Sequence, residues 1–287
     1  MYKTKAAQNL YKVILTSTGA DSIFPYLHSE NGDKEIWCPS PLHGRSFVVG
    51  KTAAERYVVS KGNGLSYTQQ PFLHTGEFRD GTWGLLLKQD AERDFLLGQE
   101  IESLGIKTNH MEYVLELETE IHLPNGHTVK PYLLQYDVEC PYRICDAAFM
   151  VQEQIKTEVE KWELLNQRGF KKAHLIAANV LIQNLRILHD HDILHNAIHE
   201  QNYTWALELL DFELACSPKH PYNSEDNMRH VKTLFPREIL QTYVIINYIA
   251  GVLKEDIDFS QIDTLFAEYG FDLQKYSINV NKNQKKI

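Results

Sequence analysis

Long apolar runs and an excess of positive charge are both missing from this chain of 287 residues. Its apolar stretches are short, such as Tyr243–Ile246, and none approaches the roughly 20 residues that cross a membrane. Arginine and lysine number 29 against 38 acidic residues, so the formal net charge is −9 and no cationic surplus is available for a nucleic-acid backbone. The N-terminus lacks the apolar stretch of a secretory signal. We therefore expect a cytoplasmic protein that binds neither a membrane nor a nucleic acid.

Cysteine is scarce as well, with four residues whose spacing matches neither a CxxC redox centre nor a zinc knuckle. Free cysteines are often found in protein interiors, so buried reduced thiols are expected. Hydrophobic residues make up 43% of the chain, which is enough for a large core and excludes disorder as the main state. The cysteines are Cys38, Cys140, Cys145 and Cys216.

The first half of the chain has the patterns of strands and turns. Residues 57–61 include the β-branched pair Val58 and Val59 and are followed by the breaker Gly62-Asn-Gly64, and residues 111–129 alternate apolar and polar side chains. Between these strands, residues 90–105 carry apolar side chains at helical spacing, with acidic residues at the start and a glycine at the end. The first half is therefore predicted to be β-rich with one inserted helix.

The second half changes to helical periodicity. A short strand-like stretch, Trp205–Leu210, interrupts it and ends in Asp211. This order of elements predicts an α+β, protein-kinase-like fold of two lobes, with a β-rich lobe over residues 1–140 and a mostly helical lobe over 141–287. The predicted helical segments are 146–167, 171–188, 237–254 and 259–269.

Three groups of polar residues fall where a kinase-like site needs them. Asn202 and Asp211 are separated by an apolar stretch, as expected of a loop Asn and a strand-end Asp that bind the metal bridging ATP phosphates. Lys61 ends an apolar strand, and Asp94 or Glu100 of the inserted helix can pair with it. Together these features predict a nucleotide site.

The same segments resemble those of a known family, the selenoprotein O group of kinase-like protein adenylyltransferases. The resemblance spans about residues 57 to 213, and the helices after it are similar in kind only. It is carried by Ser60-Lys-Gly-Asn-Gly64 with Tyr67, Asp80-Gly81, Arg93-Asp-Phe-Leu with Leu104-Gly-Ile-Lys-Thr108, Pro141-Tyr-Arg143, and His195-Asn-Ala-Ile-His-Glu-Gln-Asn202 leading to Leu210-Asp-Phe212.

The resemblance implies a role for each matching position. Lys61, with Gly62 and Gly64, would bind the phosphates of ATP, and Asp94 would position Lys61. Arg143 would be a further phosphate contact. The ligands of a Mg²⁺ or Mn²⁺ ion would be Asn202 and Asp211. The implied reaction transfers AMP from ATP to a hydroxyl of a protein substrate, with the nucleotide near residues 132–143 as hinge.

Several positions depart from the family pattern. The residue before Asn202, a catalytic Asp in the family, is Gln201, and an amide cannot accept a hydroxyl proton at a useful pKa. In the register of an ordinary kinase loop, the catalytic Asp position is Ala197. The glycine expected after Asp211-Phe212 is Glu213. We consider His199 or Glu200 as a substitute base.

Three alternatives remain open at this point. The first is transfer of the γ-phosphoryl group to a protein or small molecule, which would need the Asp missing at position 197. The second is a divergent pseudokinase that acts as a protein-interaction module, favoured by Ala197, Gln201 and Glu213. The third is a zinc site, because His191, His195 and His199 have spacing that one helix face could present.

Overall fold

A computed structural model describes residues 2–20, 22–39, 45–64, 84–123, 126–221 and 230–275. In these ranges an antiparallel sheet precedes a group of helices. The strands are β1 (Tyr2–Gln8), β2 (Tyr11–Thr16), β3 (Tyr26–His28), β4 (Lys34–Cys38), β5 (Ser46–Lys51), β6 (Tyr57–Lys61), β7 (His110–Leu117), β8 (Ile121–His122), β9 (Thr128–Val129) and β10 (Tyr132–Val138). The helices are α1 (Lys88–Ser103), α2 (Gln152–Lys161), α3 (Ala173–Asp190), α4 (Val231–Leu253) and α5 (Phe259–Glu268).

Eight strands form one curled sheet in the order β2-β7-β10-β6-β5-β4-β1-β3. The consecutive strands β1 and β2 lie near opposite edges of it, although only Asn9 and Leu10 separate them. The sheet must therefore curve until its two ends meet, and register shifts in three strand pairs assist this curvature. Strand β6 lies in the middle, where Leu134 of β10 and Ser46 of β5 flank Lys61.

Helix α1 is the predicted helix inserted among the strands, and its existence is confirmed close to the expected bounds. It packs on β7 and β10 through a face that includes Ala91, Phe95 and Ile101. The approach is close, because a Cβ on Gly98 would come within 2.2 Å of the side chain of Met111. This packing holds the helix over the middle of the sheet.

The helical part is centred on α3, which packs against α4 and α5. Apolar side chains of α3 repeat around most of its circumference, as expected of a helix covered by neighbours. One cluster of buried side chains continues from the sheet through α1 into these helices. None of the helices in the described ranges is long and apolar enough to cross a membrane. The four cysteines are free and buried, as predicted.

Three predicted elements differ from the structure. The helix predicted over residues 146–167 is divided into a 3₁₀ helix (Ile144–Phe149), α2 (Gln152–Lys161) and a second 3₁₀ helix (Trp162–Leu165). Residues 205–210 form no strand; a turn closed by the N–H of Leu207 and the carbonyl of Thr204 replaces it, and Leu207 has a φ of +60°. The prediction was wrong because tertiary contacts bury all six residues. A short apolar run that is buried in this way has the same sequence pattern as a buried strand. Helix α4 begins at Val231, six residues before the predicted start, and it includes Pro236.

A buried carboxylate, Glu208, joins the sheet to the helical part. Its Oε1 accepts hydrogen bonds from the N–H of Glu139 at 2.8 Å and from Arg56 at 3.2 Å. Its Oε2 accepts from the hydroxyl of Thr204 at 2.9 Å and from the N–H of Cys140 at 3.4 Å. Glu208 thus fixes the chain that leaves β10 against the turn at 204–208.

The loop after α3 is anchored from two sides. Glu238 of α4, fully buried, accepts from the N–H of Asn196 at 2.7 Å and lies 2.9 Å from Nε2 of His189. The N–H of Ala197 donates to Nδ1 of His195, so the ring proton is on Nε2, which donates to the carbonyl of Leu210 at 2.9 Å. These contacts set the position of residues 195–202.

Candidate functional site

Lys61 lies at the centre of a group of carboxylates, which we call the Lys61 cluster (Lys61, Asp94, Asp211 and Glu213). Its Nζ is 2.6 Å from Asp211 Oδ1, 2.7 Å from Asp94 Oδ2 and 3.4 Å from Glu213 Oε2, and its side chain is only 2% exposed. Burial alone would lower the pKa of Lys61, but the carboxylates of Asp211, Asp94 and Glu213 raise it above its usual range. Lys61 is therefore a permanent cation held by its neighbours.

Asp94 ties three segments together. One carboxylate oxygen contacts Lys61 of β6, and the other accepts the N–H of Phe212 at 2.9 Å. Because Asp94 is on α1, the helix, the central strand and the segment after Asp211 share one buried contact. This is the position that the sequence predicts for the carboxylate that positions Lys61.

Asp211 has a backbone φ of +70°, the left-handed region that Asp tolerates better than most residues. Such conformations cost about 1–3 kcal/mol and are concentrated at functional sites. Burial would raise the pKa of Asp211, but Lys61, Arg45 and Arg143 lower it well below its usual range. Asp211 is therefore an ionised carboxylate whose direction the backbone fixes.

Asn202 and Arg143 lie on the other side of Asp211. The amide nitrogen of Asn202 donates to the carbonyl of Ala197 at 2.9 Å, which turns its Oδ1 towards Arg143 Nη1, 3.4 Å away. The same Nη1 donates to the carbonyl of Gln201 at 2.8 Å and lies 4.0 Å from Asp211 Oδ2. The amide oxygen of Asn202 and the carboxylate oxygen of Asp211 therefore both lie within 4.0 Å of Arg143 Nη1, and oxygens of these two kinds are ligands that Mg²⁺ and Mn²⁺ accept.

The two predicted phosphate-binding glycines lie directly after Lys61. Gly62 has a φ of +94°, and a Cβ there would come within 2.6 Å of the carbonyl oxygen of Tyr132. The N–H of Gly62 donates to the carbonyl of Arg45 at 2.9 Å, and that of Gly64 to Gly84 at 3.3 Å. Packing against β10 therefore accounts for a glycine at position 62, and the N–H groups of both glycines are already paired.

The loop that should supply a base has no carboxylate at positions 197 and 201. The N–H of Gln201 donates to Nδ1 of His199 at 3.2 Å, so the ring proton of His199 is on Nε2. In this tautomer the free ring nitrogen is a donor and cannot take a proton from a substrate. Burial lowers the pKa of His199, so the neutral ring is the stable form. The side chain of Gln201 is exposed, whereas Glu200 is half-buried.

The structure argues against the zinc alternative. Residues 195–199 form no helix, and His195 uses both ring nitrogens in contacts with the backbone. The Nδ1 atoms of His191 and His199 face the carbonyl of Ile187 and the N–H of Gln201. In the part of the chain that the structure describes, the one group of three metal-binding side chains is formed by the carboxylates of the Lys61 cluster.

Arg45 is a site residue that the sequence analysis misses. Its Nη2 lies 2.6 Å from Glu213 Oε1, and it precedes Ser46, the residue paired with Lys61 across β5 and β6. The carbonyl of Arg45 accepts the N–H of Gly62 at 2.9 Å, so the pairing of β5 with β6 brings Arg45 next to the end of the Lys61 strand, and the sequence alone does not provide this register. Arg45 adds a third cation to those supplied by Lys61 and Arg143.

Described residues of both parts of the chain line a small cavity next to the site. A cavity of about 20 Å³, enough for about one water molecule, lies between Val59 of the sheet, Tyr136 and Cys140 of the predicted hinge, and Leu210. A purine ring does not fit this cavity. Tyr67, Asp80 and Gly81, which carry part of the family resemblance, lie outside the described ranges.

The sheet with its inserted helix, the helical part and the Lys61 cluster between them define the class of this domain. It is an α+β, protein-kinase-like fold with a β-rich N-terminal lobe and a mostly helical C-terminal lobe. No protein-family model matches the chain, and the comparison with curated proteins finds no match.

Solved structures provide the remaining comparisons. The chain is similar to a Stt7 homolog from Micromonas algae soaked with ATP, at 12% identity and a TM-score of 0.43, over 88% of this chain and 84% of that chain. It is also similar to the Toxoplasma gondii specific rhoptry antigen kinase domain, at 12% identity and a TM-score of 0.39, over 87% and 75% of the two chains. A third similar structure is the ROP18 kinase domain in complex with AMP-PNP and sucrose, at 12% identity and a TM-score of 0.32, over 91% and 84%.

Proposed function

We propose that the chain binds ATP with a divalent cation in the cleft between its two lobes, whose boundary lies near residue 140. The observation that carries this proposal is the burial of Lys61 between Asp94 of α1 and Asp211. In kinase-like sites, the lysine that contacts the nucleotide phosphates is likewise paired with a carboxylate of a helix. Arg143 supplies a second cation on the opposite side of Asp211.

Asn202 and Asp211 are the proposed ligands of the cation. Mg²⁺ or Mn²⁺ would neutralise the charge of the phosphates and polarise the phosphoryl group under attack. The residues of the chain fix the geometry around it: Ala197 orients the amide of Asn202, and the left-handed backbone orients Asp211. The Asn202 hydrogen bond and the Asp211 backbone conformation are both present without a ligand, so these two side chains need little reorganisation when a ligand binds.

The reaction that we propose is transfer of AMP to a hydroxyl of a protein substrate. The hydroxyl oxygen forms a bond to the α-phosphorus, the bond from that phosphorus to the β-phosphate oxygen breaks, and pyrophosphate leaves. The hydroxyl proton needs an acceptor, and Glu200 is the proposed one because His199 presents a protonated nitrogen. Positioning and charge supply much of the rate in such transfers, so the reaction proceeds slowly without an ideal base.

A second candidate function is a nucleotide-free interaction module of the pseudokinase kind. Two observations favour it: the small side chain of Ala197 at the catalytic position, and the cavity of about 20 Å³ at the lobe junction. Transfer of the γ-phosphoryl group uses the same cleft, but it depends more directly on the carboxylate that Ala197 lacks. A cytoplasmic location is part of the proposal, because free buried thiols suit a reducing compartment.

Labelled ATP separates these functions. The purified protein is incubated with Mg²⁺ or Mn²⁺ and ATP labelled at the α or the γ phosphate, beside the variants Lys61→Ala, Asp211→Ala and Glu200→Gln. Glu160→Gln, which changes an exposed carboxylate of α2, serves as control. We expect label from the α position alone, lost in the first two variants and reduced in the third. Label from the γ position alone would instead make the protein a kinase, and no label with no thermal shift by ATP would favour the module.

A further inference from the structure

Glu213 lies where a nucleotide phosphate would be expected. Its Oε1 is 2.6 Å from Arg45 Nη2, and its Oε2 is 3.4 Å from Lys61 Nζ. The two cations approach different oxygens of one carboxylate, as two cationic side chains would approach a phosphate group. Oε2 is buried and has no hydrogen-bond partner. This oxygen is therefore held by charge alone.

The charged side chains in and around the Lys61 cluster are equal in number: three are cationic and three are carboxylates. The cationic side chains are Arg45, Lys61 and Arg143, and the carboxylates are Asp94, Asp211 and Glu213. A phosphate chain that entered without any rearrangement would add several negative charges to a balanced group. It would also have to share Arg45 and Lys61 with Glu213.

Glu213 is better placed to leave than its neighbours. Asp94 is buried and bound at both oxygens, and Asp211 is held by Lys61 and by its backbone conformation. Glu213 lies in a turn with Leu214, which is 44% exposed, and its own side chain is 20% exposed. Rotation of the Glu213 side chain into solvent breaks its contacts with Arg45 and Lys61 without moving Asp211.

We propose that Glu213 is an internal phosphate substitute, which closes the site in the absence of ligand and which the phosphate chain of a nucleoside triphosphate must displace. The inference rests on the proposed function and refines it. Affinity for ligands with a phosphate chain is set by competition with Glu213, whereas affinity for the nucleoside part is not. The residue therefore acts as a gate that responds to phosphate.

Binding of three ligands tests this gate: ATP, adenosine and inorganic tripolyphosphate, each titrated in Mg²⁺ into the wild-type chain and into Glu213→Gln. Glu268→Gln is the matched control, because it also removes the carboxylate of an arginine–glutamate pair, the one between Arg168 and Glu268 of α5. We expect Glu213→Gln to bind ATP and tripolyphosphate about tenfold more tightly or better, with adenosine unchanged. Glu213→Ala replaces the glutamine variant if thermal unfolding shows that the latter does not fold.

The outcomes separate the gate from the proposed function. Equal binding of ATP by the wild type and the variant would overturn the gate and leave the nucleotide site in place. Tighter tripolyphosphate binding by Glu213→Gln with no ATP binding by either protein would support the gate and contradict the nucleotide site. Weaker binding of ATP by the variant would overturn the gate and indicate that Glu213 holds the cation. No binding of either ligand by either protein would contradict both.

Discussion

Lys61 is the cation that contacts all three carboxylates of the cluster, and its contribution to stability can be measured without any ligand. The Lys61→Met variant keeps the length and apolar stem of the side chain but leaves three carboxylates facing one another. Removal of one partner of a buried ion pair costs about 3–5 kcal/mol, and we expect a loss of this size in the free energy of unfolding. Urea denaturation followed by circular dichroism measures it.

The control for this prediction is Lys130→Met. Lys130 is 45% exposed and pairs with Glu116 at the surface, where an ion pair contributes less than about 1 kcal/mol. A loss for Lys61→Met as small as that for Lys130→Met would contradict the account of the Lys61 cluster.

His199 provides a second test at the scale of a single residue. Burial, which disfavours the charged ring, lowers its pKa below the usual value of about 6.5. The ring should therefore stay neutral at pH 7, with its proton on Nε2, and gain charge only as the pH falls below 6.5. Nitrogen chemical shifts in an NMR titration report both the tautomer and the midpoint, and His199→Gln assigns the signals. A midpoint above 7, or a proton on Nδ1, would restore His199 as a candidate base.

Among the structural elements, the chain that leaves β10 depends on Glu208. Glu208→Ala leaves the N–H groups of Glu139 and Cys140 and the hydroxyl of Thr204 without an acceptor. Each unpaired buried group costs about 1–3 kcal/mol, so for three such groups we expect a loss of at least about 3 kcal/mol in the free energy of unfolding. Thermal and urea denaturation measure it.

Glu139→Ala is the matched control, because Glu139 also pairs with Arg56 but is 44% exposed. We expect it to cost less than about 1 kcal/mol. Comparable losses for the two variants would mean that Glu208 has no special role at the lobe junction.

The elements around the site differ in how far the sequence predicts them. Helix α1 and strand β6 are defined by local patterns, and the spacing of Asn202 and Asp211 follows from a short loop and turn. The contacts of Arg45 with Glu213 and of Arg56 with Glu208 join residues 168 and 152 positions apart, so no local pattern contains them. The strand predicted over Trp205–Leu210 is wrong for the related reason that burial by distant segments gives it the composition of a strand.

At the scale of the whole molecule, the closed lobe junction makes a kinetic prediction. The cavity of about 20 Å³ that described residues line there does not hold a purine ring, and we therefore expect ATP to bind to a minor open form. In stopped-flow mixing, the observed rate should level off at high ATP concentration because opening becomes limiting. A rate that rises linearly to high ATP concentration, at a slope of about 10⁷ M⁻¹s⁻¹ or more, would contradict the closed state.

The central claim is that the cleft binds ATP through Lys61, Asp211 and a divalent cation, and isothermal titration tests it most directly. ATP is titrated in Mg²⁺ into the wild-type chain and into Asp211→Asn, which keeps the size of the side chain, and the wild type is repeated in EDTA. The account predicts saturable binding at one site per chain, lost in EDTA and weakened at least about tenfold in the variant. Absence of binding, or binding that neither EDTA nor Asp211→Asn changes, would contradict it.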